Sequence, residues 1–234
     1  MRRLPTSAFT LIEMLTVLAI IVILTSLVVA VGGYVQKRSA LARATGEIAM
    51  LVSACESYKS DNGNYPRDTS GTTSKTDAIN PKVDLNPIDP QTKTKYEDSS
   101  LFLYKELSGD KTGSSNAPDG IPDDGQPRYL KDVEQRILKA TKNPTTKAII
   151  SVQFLQDPFG FPYAYSTSAA KVESDFQTKL LQNPSLRATL QRPTGQALKG
   201  YNPGSFDLWS TGGKTTRKPG DTDEMVQANW VKNW

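Results

Sequence analysis

Histidine is absent from the 234-residue chain, and cysteine occurs once, as Cys55. Without histidine the chain has no Ser-His-Asp or Cys-His catalytic group, no histidine-bound zinc or haem, and no imidazole acid–base chemistry. A single cysteine excludes an internal disulfide and a cysteine metal cluster. Hydrolysis would then require a pair of carboxylates, and no pair stands out among the aspartates of the loops. We therefore do not expect an enzyme.

Charge is not concentrated in any part of the sequence. The 28 Lys and Arg residues and the 24 Asp and Glu residues give a net charge of +4, and the basic residues form no dense cluster. We therefore expect no nucleic-acid partner.

The hydrophobic share of 37% and the charged share of 22% also exclude a protein with several membrane spans and a wholly disordered chain. The length allows one or two domains.

The apolar residues are concentrated in one run near the N-terminus. Residues 9–36 contain a single charge, Glu13, and residues 14–31 contain no charge, proline or glycine. As a helix, residues 14–31 would span roughly 27 Å, close to the thickness of the hydrocarbon core of a bilayer. Arg2 and Arg3 precede the run, so the positive-inside rule places the N-terminus in the cytoplasm and the rest of the chain outside. A buried core helix, a cleaved secretory signal peptide and an ordinary single-span anchor are alternatives, but none of them explains a costly carboxylate in this segment.

Residues 8–15 read AFTLIEML, and this segment resembles the prepilin signal of type IV pilins and type II secretion pseudopilins. The resemblance implies that a prepilin peptidase removes a leader, residues 1–8, by cutting between Ala8 and Phe9, and that Phe9 is then N-methylated. It also implies that Glu13, the fifth residue of the mature chain, pairs with the N-terminal amine of a neighbouring subunit. This pair would set the stagger between subunits. The family usually has glycine before the cut, where this chain has Ala8.

Three further segments narrow the resemblance to the major pseudopilin of type II secretion systems. They read DNGNYP at 61–66, DPFGFPY at 157–163 and FDLWSTG at 206–212. The resemblance covers the N-terminal helix and the C-terminal part of the chain, whereas residues 67–147 and 170–198 have no counterpart in the family. The single cysteine differs from type IV pilins, which commonly close a C-terminal loop with a disulfide.

Beyond the apolar run, the residue patterns predict an α+β fold. Apolar residues recur at three- and four-residue steps from Ala44 to Tyr58, which predicts an apolar stripe on a helix that ends at 61–64. A three- or four-stranded antiparallel sheet packed on this helix is predicted from strands at 148–155, 163–166 and 205–210. Further helices are predicted at 101–107 and at 170–198, the latter broken at 183–184.

The resemblance implies a pilin-like fold, in which a long N-terminal helix crosses the membrane with its first half and packs on a small antiparallel sheet with its second half. Cys55 lies on the apolar stripe, where we expect a buried and unreactive thiol. In chain order the implied segments are the leader 1–8, the transmembrane and polymerisation helix 9–36, the periplasmic half of the helix 37–62, a variable polar insert 63–147, and the C-terminal β-sheet with a calcium-loop-like segment 148–234.

The resemblance also implies a calcium site. Major pseudopilins hold a structural calcium in the loop after the last strand, and the matching positions here are Asp221 and Asp223, joined by backbone oxygens near Leu208 and Ser210. Lys214 stands where the family has an aspartate ligand, and a positive charge there weakens calcium binding. The alternative is a loop held by hydrogen bonds and by tryptophan packing.

A second loop carries weaker calcium candidates. Asp119, Asp123 and Asp124 are closely spaced and lie next to glycines, and calcium prefers such oxygen ligands. Their spacing does not match an EF-hand. The alternative is a solvated acidic turn.

The resemblance implies a structural function: the chain polymerises into the periplasmic pseudopilus of a type II protein secretion system. Before assembly it would span the inner membrane once, with the N-terminus in the cytoplasm and the C-terminal body in the periplasm. The implied partners are further copies of the chain, other pseudopilins, the prepilin peptidase/methyltransferase and the inner-membrane assembly platform. Two alternatives stay open: a subunit of a type IV pilus or DNA-uptake fibre, and a membrane-anchored periplasmic module that binds a ligand through exposed tyrosine and tryptophan.

Overall fold

The computed structural model describes residues 10–112, 117–130, 135–214 and 216–234, without the side chains of residues 27–32. The chain divides into two compact units, residues 1–42 and residues 43–234. The first helix, α1 (Leu11–Asn62), contributes residues to both units. The fold is α+β with a long N-terminal helix, as predicted, and its strands form small antiparallel sheets.

In the first unit, residues 11–24 of α1 are apolar around the whole circumference of the helix. The large apolar side chains between Leu11 and Leu24 are each at least half exposed, with values from 50% for Val17 to 84% for Leu11. Because they occupy nearly every position of the segment, they point to all sides of the helix rather than to one face. Among the residues described, no helix is both long enough and apolar enough to cross a membrane.

In the second unit, residues 43–62 of α1 carry the predicted apolar stripe. Ile48, Leu51 and Cys55 are buried in the main hydrophobic core of the unit, and the half-buried Val52 and Tyr58 pack against that core. The helix ends at Asn62, within the predicted range. Ala44 of the stripe is buried too, as is Ala54, which the predicted stripe did not include.

The polar middle of the chain contains a second long helix, α2 (Pro90–Ser108). The helix begins where the Asp89 side chain accepts hydrogen bonds from two backbone amides, and it ends at Gly109, which has a φ of 75°. The predicted helix at 101–107 is the C-terminal part of α2. The first half of α2 was not predicted because its sequence is mostly polar. Its one large buried side chain is that of Tyr96, which is fully buried.

The strands form two separate antiparallel sheets rather than one. The first sheet is a pair and the second has three strands in chain order. The first pairs β1 (Leu138–Lys142) with β2 (Ile149–Leu155), and the second contains β3 (Ala164–Ser166), β4 (Asp207–Ser210) and β5 (Val231–Lys232).

The prediction of one three- or four-stranded sheet is therefore wrong, although its three strands are confirmed as β2, β3 and β4. The sheets separate at the turn around Asp157, where only an isolated bridge between Gln156 and Pro162 continues the pairing. β1 was not predicted because its sequence, LKATK, is polar and half of its ladder faces solvent. β5 has two residues, which is too short to show a period.

The segment between β3 and β4 is helical with the predicted break. Helix α3 (Ser168–Gln182) is followed by a 3-10 turn at Pro184–Ala188. The break lies at Asn183 because the following proline disfavours the helical conformation in the residue before it. A short helix, α4 (Asp223–Gln227), precedes β5.

Candidate functional site

The carboxylate of Glu13 lies in the first turn of α1 and forms a capping box with Thr10. The amide and the hydroxyl of Thr10 both donate to Glu13 Oε2 at 2.7 Å, and the Glu13 amide donates back to Thr10 Oγ1 at 3.4 Å. These reciprocal bonds satisfy amides at the helix start that would otherwise have no partner within the helix. Ala8 and Phe9, where cleavage and methylation are predicted, lie outside the described residues.

The capping box gives Glu13 a local role that the sequence interpretation did not include. The spacing of Thr10 and Glu13 is a sequence signal for such a box. Only Oε2 of the carboxylate takes part in these bonds. Oε1 takes no part in the capping box, so it can contact an additional partner such as an amine while the box stays intact.

The carboxylates predicted to bind calcium have basic partners. Asp221 Oδ2 lies 3.1 Å from the ammonium of Lys214, which also donates to the Met225 carbonyl at 3.1 Å. Asp223 Oδ1 lies 3.1 Å from Nη1 of Arg217. The loop is thus held together by two ion pairs.

The two remaining calcium candidates, both on β4, also contact other groups. The Ser210 hydroxyl donates to Asp157 Oδ2. The Leu208 carbonyl accepts from the Asn233 amide at 3.2 Å. The two carboxylates, the Ser210 side chain and the Leu208 carbonyl thus each have a partner within the protein.

The electrostatics of the loop agree with these contacts. The backbone amide of Lys218 and the ammonium of Lys214 lower the pKa of Asp221. An ammonium in contact with the principal carboxylate competes with a divalent cation for the same oxygen. The described ranges contain no group of three or more acidic or cysteine side chains that suits a metal ion. As they stand, these residues do not fit a calcium site.

We expect calcium to leave the thermal stability of the wild-type protein unchanged and to stabilise a Lys214→Asp variant. The substitution removes the ammonium and adds a carboxylate beside Asp221 and Asp223, and calcium binds such oxygen clusters. A ligand that binds only the folded state raises the melting temperature as its concentration rises. Differential scanning fluorimetry with calcium and with EGTA measures the shift, and Lys214→Gln is the control that removes the charge without adding a ligand. A calcium-dependent rise in the wild type would contradict this expectation.

The second acidic loop uses its carboxylates to hold its own backbone. Oδ2 of Asp123 accepts hydrogen bonds from two backbone amides across the loop, at 3.1 Å each. The fully buried Asp110 accepts from the amides of Asp119 at 3.1 Å and Gly120 at 2.7 Å. Asp124 is exposed. This geometry fits the alternative of an acidic turn better than a metal site.

A group of four buried polar side chains, here called the buried polar cluster, was not predicted. Its members are Glu47, Asp157, Tyr163 and Ser210. The Tyr163 hydroxyl donates to Glu47 Oε2 at 2.6 Å, and the Ser210 hydroxyl donates to Asp157. Burial raises the pKa of Asp157 to about 6. The hydrogen bonds to its carboxylate lower this pKa, and the negative charge of Glu47 raises it. Burial, together with the bond to Glu47, also raises the pKa of Tyr163.

Limited access makes this cluster a structural feature. The exposed fractions are 8% for Glu47, 2% for Asp157 and 0% for Tyr163, so none of these groups can reach a substrate. Cys55 is also fully buried, which raises the pKa of its thiol and confirms the expected inert core cysteine. The DPFGFPY segment contributes two members of the cluster, but their partners lie far away in sequence.

Three features of the chain thus bear on its function: the capped Glu13 in an exposed apolar helix, the ion-paired loop after β4, and the buried polar cluster. The first concerns contacts with other molecules, and the other two hold the second unit together. No protein-family model, no curated protein and no solved structure matches the chain.

Proposed function

We propose that this chain is a structural, pilin-like subunit that polymerises into the pseudopilus of a type II secretion system. The observation that carries the proposal is the helical segment Leu11–Leu24, whose large apolar side chains are exposed on every side. One neighbour can cover a single stripe, but a helix that is apolar all round needs lipid or several other helices around it. A fibre with these helices bundled at its centre supplies that cover, and a membrane supplies it before assembly.

Glu13 supports assembly through a specific pair. An unpaired carboxylate in the apolar part of a membrane costs about 3 kcal/mol. Cleavage before Phe9 would create an amine close to the same depth, and pairing with that amine on a neighbouring copy lowers the cost of both charges. Buried pairs of this kind are best supported as devices that fix register.

In this proposal the chain first spans the inner membrane once, with the N-terminus in the cytoplasm. The prepilin peptidase/methyltransferase processes it there, and the assembly platform then adds it to a fibre with other pseudopilins. A type IV pilus or DNA-uptake fibre would place the same demands on residues 9–36, so it stays the alternative. An anchored ligand-binding module would need the helix only as a monomeric anchor.

Mass spectrometry of the N-terminus of the protein from native membranes tests processing. We expect the mature chain to begin at N-methylated Phe9. The Ala8→Gly variant, which introduces the usual residue of the family, should be processed as well as the wild type, whereas Ala8→Trp should keep its leader because a bulky residue does not fit where a small one is required. A native chain that still begins at Met1 would contradict the proposal.

A further inference from the structure

The two segments without a counterpart in the pseudopilin family meet at one pocket. The first segment contributes residues 67–69 and the second contributes residues 170–174, beside the end of α1 and the loop 203–205. The pocket has a volume of about 670 Å³, within the usual range for sites that hold small molecules. All of its lining residues belong to the second unit. The additional segments thus meet at a pocket that lies within one unit.

The charged groups in the pocket wall are neutralised within the protein. Arg67 donates from Nη2 and Nε to the two oxygens of Asp77, at 3.1 and 3.2 Å, and Asp77 also accepts from the Thr167 hydroxyl at 2.7 Å. Glu173 forms an ion pair with Arg192 at 3.0 Å. A ligand with a net charge would add an uncompensated charge to this wall, so the electrostatics favour an uncharged ligand.

The other polar groups of the pocket suit a ligand rich in hydroxyl groups. Amides and hydroxyls can both donate and accept hydrogen bonds, as the hydroxyl groups of a ligand can. Nδ2 of Asn62 donates to the Tyr58 carbonyl at 2.9 Å and to the Tyr129 hydroxyl at 3.0 Å, so this side chain offers a ligand its oxygen as an acceptor. The side-chain amides and aliphatic hydroxyls in the lining belong to Asn62, Asn64, Thr69, Thr167, Ser174 and Ser205.

Two tyrosines complete the lining. Tyr65 packs edge-to-face against Phe206 with ring centroids 4.9 Å apart, and Tyr58 packs in the same way against Tyr129 at 5.2 Å. These contacts hold both rings in place before a ligand arrives, which lowers the entropic cost of binding. The Lys59 ammonium covers one face of Tyr65, with Nζ 4.4 Å from the ring centroid. The C–H faces of a sugar ring can pack against the aromatic surface that remains, while the hydroxyl groups reach the surrounding amides.

We propose that this pocket binds an uncharged oligosaccharide. Aromatic rings, amides and hydroxyls with no unbalanced charge form a surface complementary to a neutral sugar chain. The open side of the pocket admits a chain that extends beyond it. The proposal does not depend on fibre assembly, because every residue in it lies within the second unit.

Gly204 offers a way to close the pocket without disturbing the fold. A Cβ atom at Gly204 would meet no heavy atom within 4 Å, and the backbone there has an ordinary negative or extended φ. A larger side chain at this lining position therefore starts without a backbone or Cβ clash, and tryptophan is the substitution chosen to obstruct the pocket. Gly204→Ala is the matched control, because it makes the same backbone change and leaves the pocket open.

Isothermal titration calorimetry of the full chain, in a detergent without a sugar head group, tests the proposal with cello-, malto-, xylo- and mannohexaose. We expect one of these probes to bind, with affinity about tenfold weaker or lost in Gly204→Trp and unchanged in Gly204→Ala. Asn64→Leu, at an exposed position of the lining, is the second variant if Gly204→Trp melts at a lower temperature than the control. Absence of binding by all four probes, equal binding by the lining variants, or preference for a charged oligogalacturonate would overturn the proposal.

Discussion

Replacing Asp157 by alanine is expected to lower the free energy of unfolding by about 3 kcal/mol or more. Oδ1 of Asp157 accepts from the amides of Phe159 at 3.0 Å and Phe161 at 2.8 Å, and Oδ2 accepts from the Ser210 hydroxyl. Alanine removes the acceptor for all three donors, and each buried donor without a partner costs about 1 to 3 kcal/mol. Urea unfolding of the full chain in detergent, followed by tryptophan fluorescence, measures the loss.

Asp157→Asn separates the hydrogen bonds of this residue from its charge. Asparagine keeps an acceptor for the two amides but does not titrate, so we expect a much smaller loss of stability at neutral pH than in Asp157→Ala. Similar losses in the two variants would contradict the assignment of the stabilising role to hydrogen bonds.

The pH dependence of stability follows from the same residue. Burial raises the pKa of Asp157 from 3.8 to about 6, so the folded state holds the proton more tightly than the unfolded state. The resulting stabilisation is complete at pH values below the pKa of Asp157 in the unfolded state. It is lost as the pH rises through the pKa of Asp157 in the folded state. The wild type should gain about 1 kcal/mol from this group between about pH 7 and pH 5, and Asp157→Asn should lack this gain. Burial also raises the pKa of Asp207 to about 6, and Asp207 contributes the same pH dependence to the wild type and to Asp157→Asn.

Replacing Glu13 by alanine is expected to abolish fibre formation while the chain still reaches the membrane. The substitution removes a costly charge from the apolar segment, so insertion should proceed as well as in the wild type. Without the carboxylate, no partner remains for the N-terminal amine of a neighbouring copy, and the register between copies is lost. Electron microscopy of fibres sheared from cells that overproduce the subunit measures assembly.

Glu13→Gln distinguishes the two roles of this side chain. Glutamine can accept the same bonds from Thr10 and so preserves the capping box, but it carries no charge. If the intersubunit pair is the essential role, Glu13→Gln fails to assemble as Glu13→Ala does. Normal fibres from Glu13→Gln would mean that the capping box alone explains the residue.

Sequence patterns predicted those parts of the fold whose signal is local. The stripe on α1, its end at Asn62 and the strands β2, β3 and β4 follow from periodicity and turn residues. The first half of α2 is held by a distant partner, since Tyr96 packs on Trp209, whereas β1 pairs with the next strand but is too polar to show the alternation of a strand. Long-range contacts of this kind leave no period in the segment itself.

The same division applies to the functional residues. The ion pair between Lys214 and Asp221 could be anticipated in outline, since Lys214 was visible as a departure from the calcium pattern. The buried polar cluster could not, because Glu47 and Tyr163 are joined only by the fold. The pocket at Gly204 depends likewise on two polar segments that have no recognisable pattern and are brought together by the second unit.

Cysteine crosslinking through the apolar helix decides whether copies of the chain bundle through residues 11–24. The native Cys55 is fully buried and does not compete. With Val17→Cys and Leu24→Cys, two turns apart on one helix face, oxidation in native membranes should give a ladder of covalent multimers. Leu181→Cys, which is 75% exposed on α3, is the control and should give no ladder. Only monomer or dimer from the helix cysteines would contradict assembly through this segment.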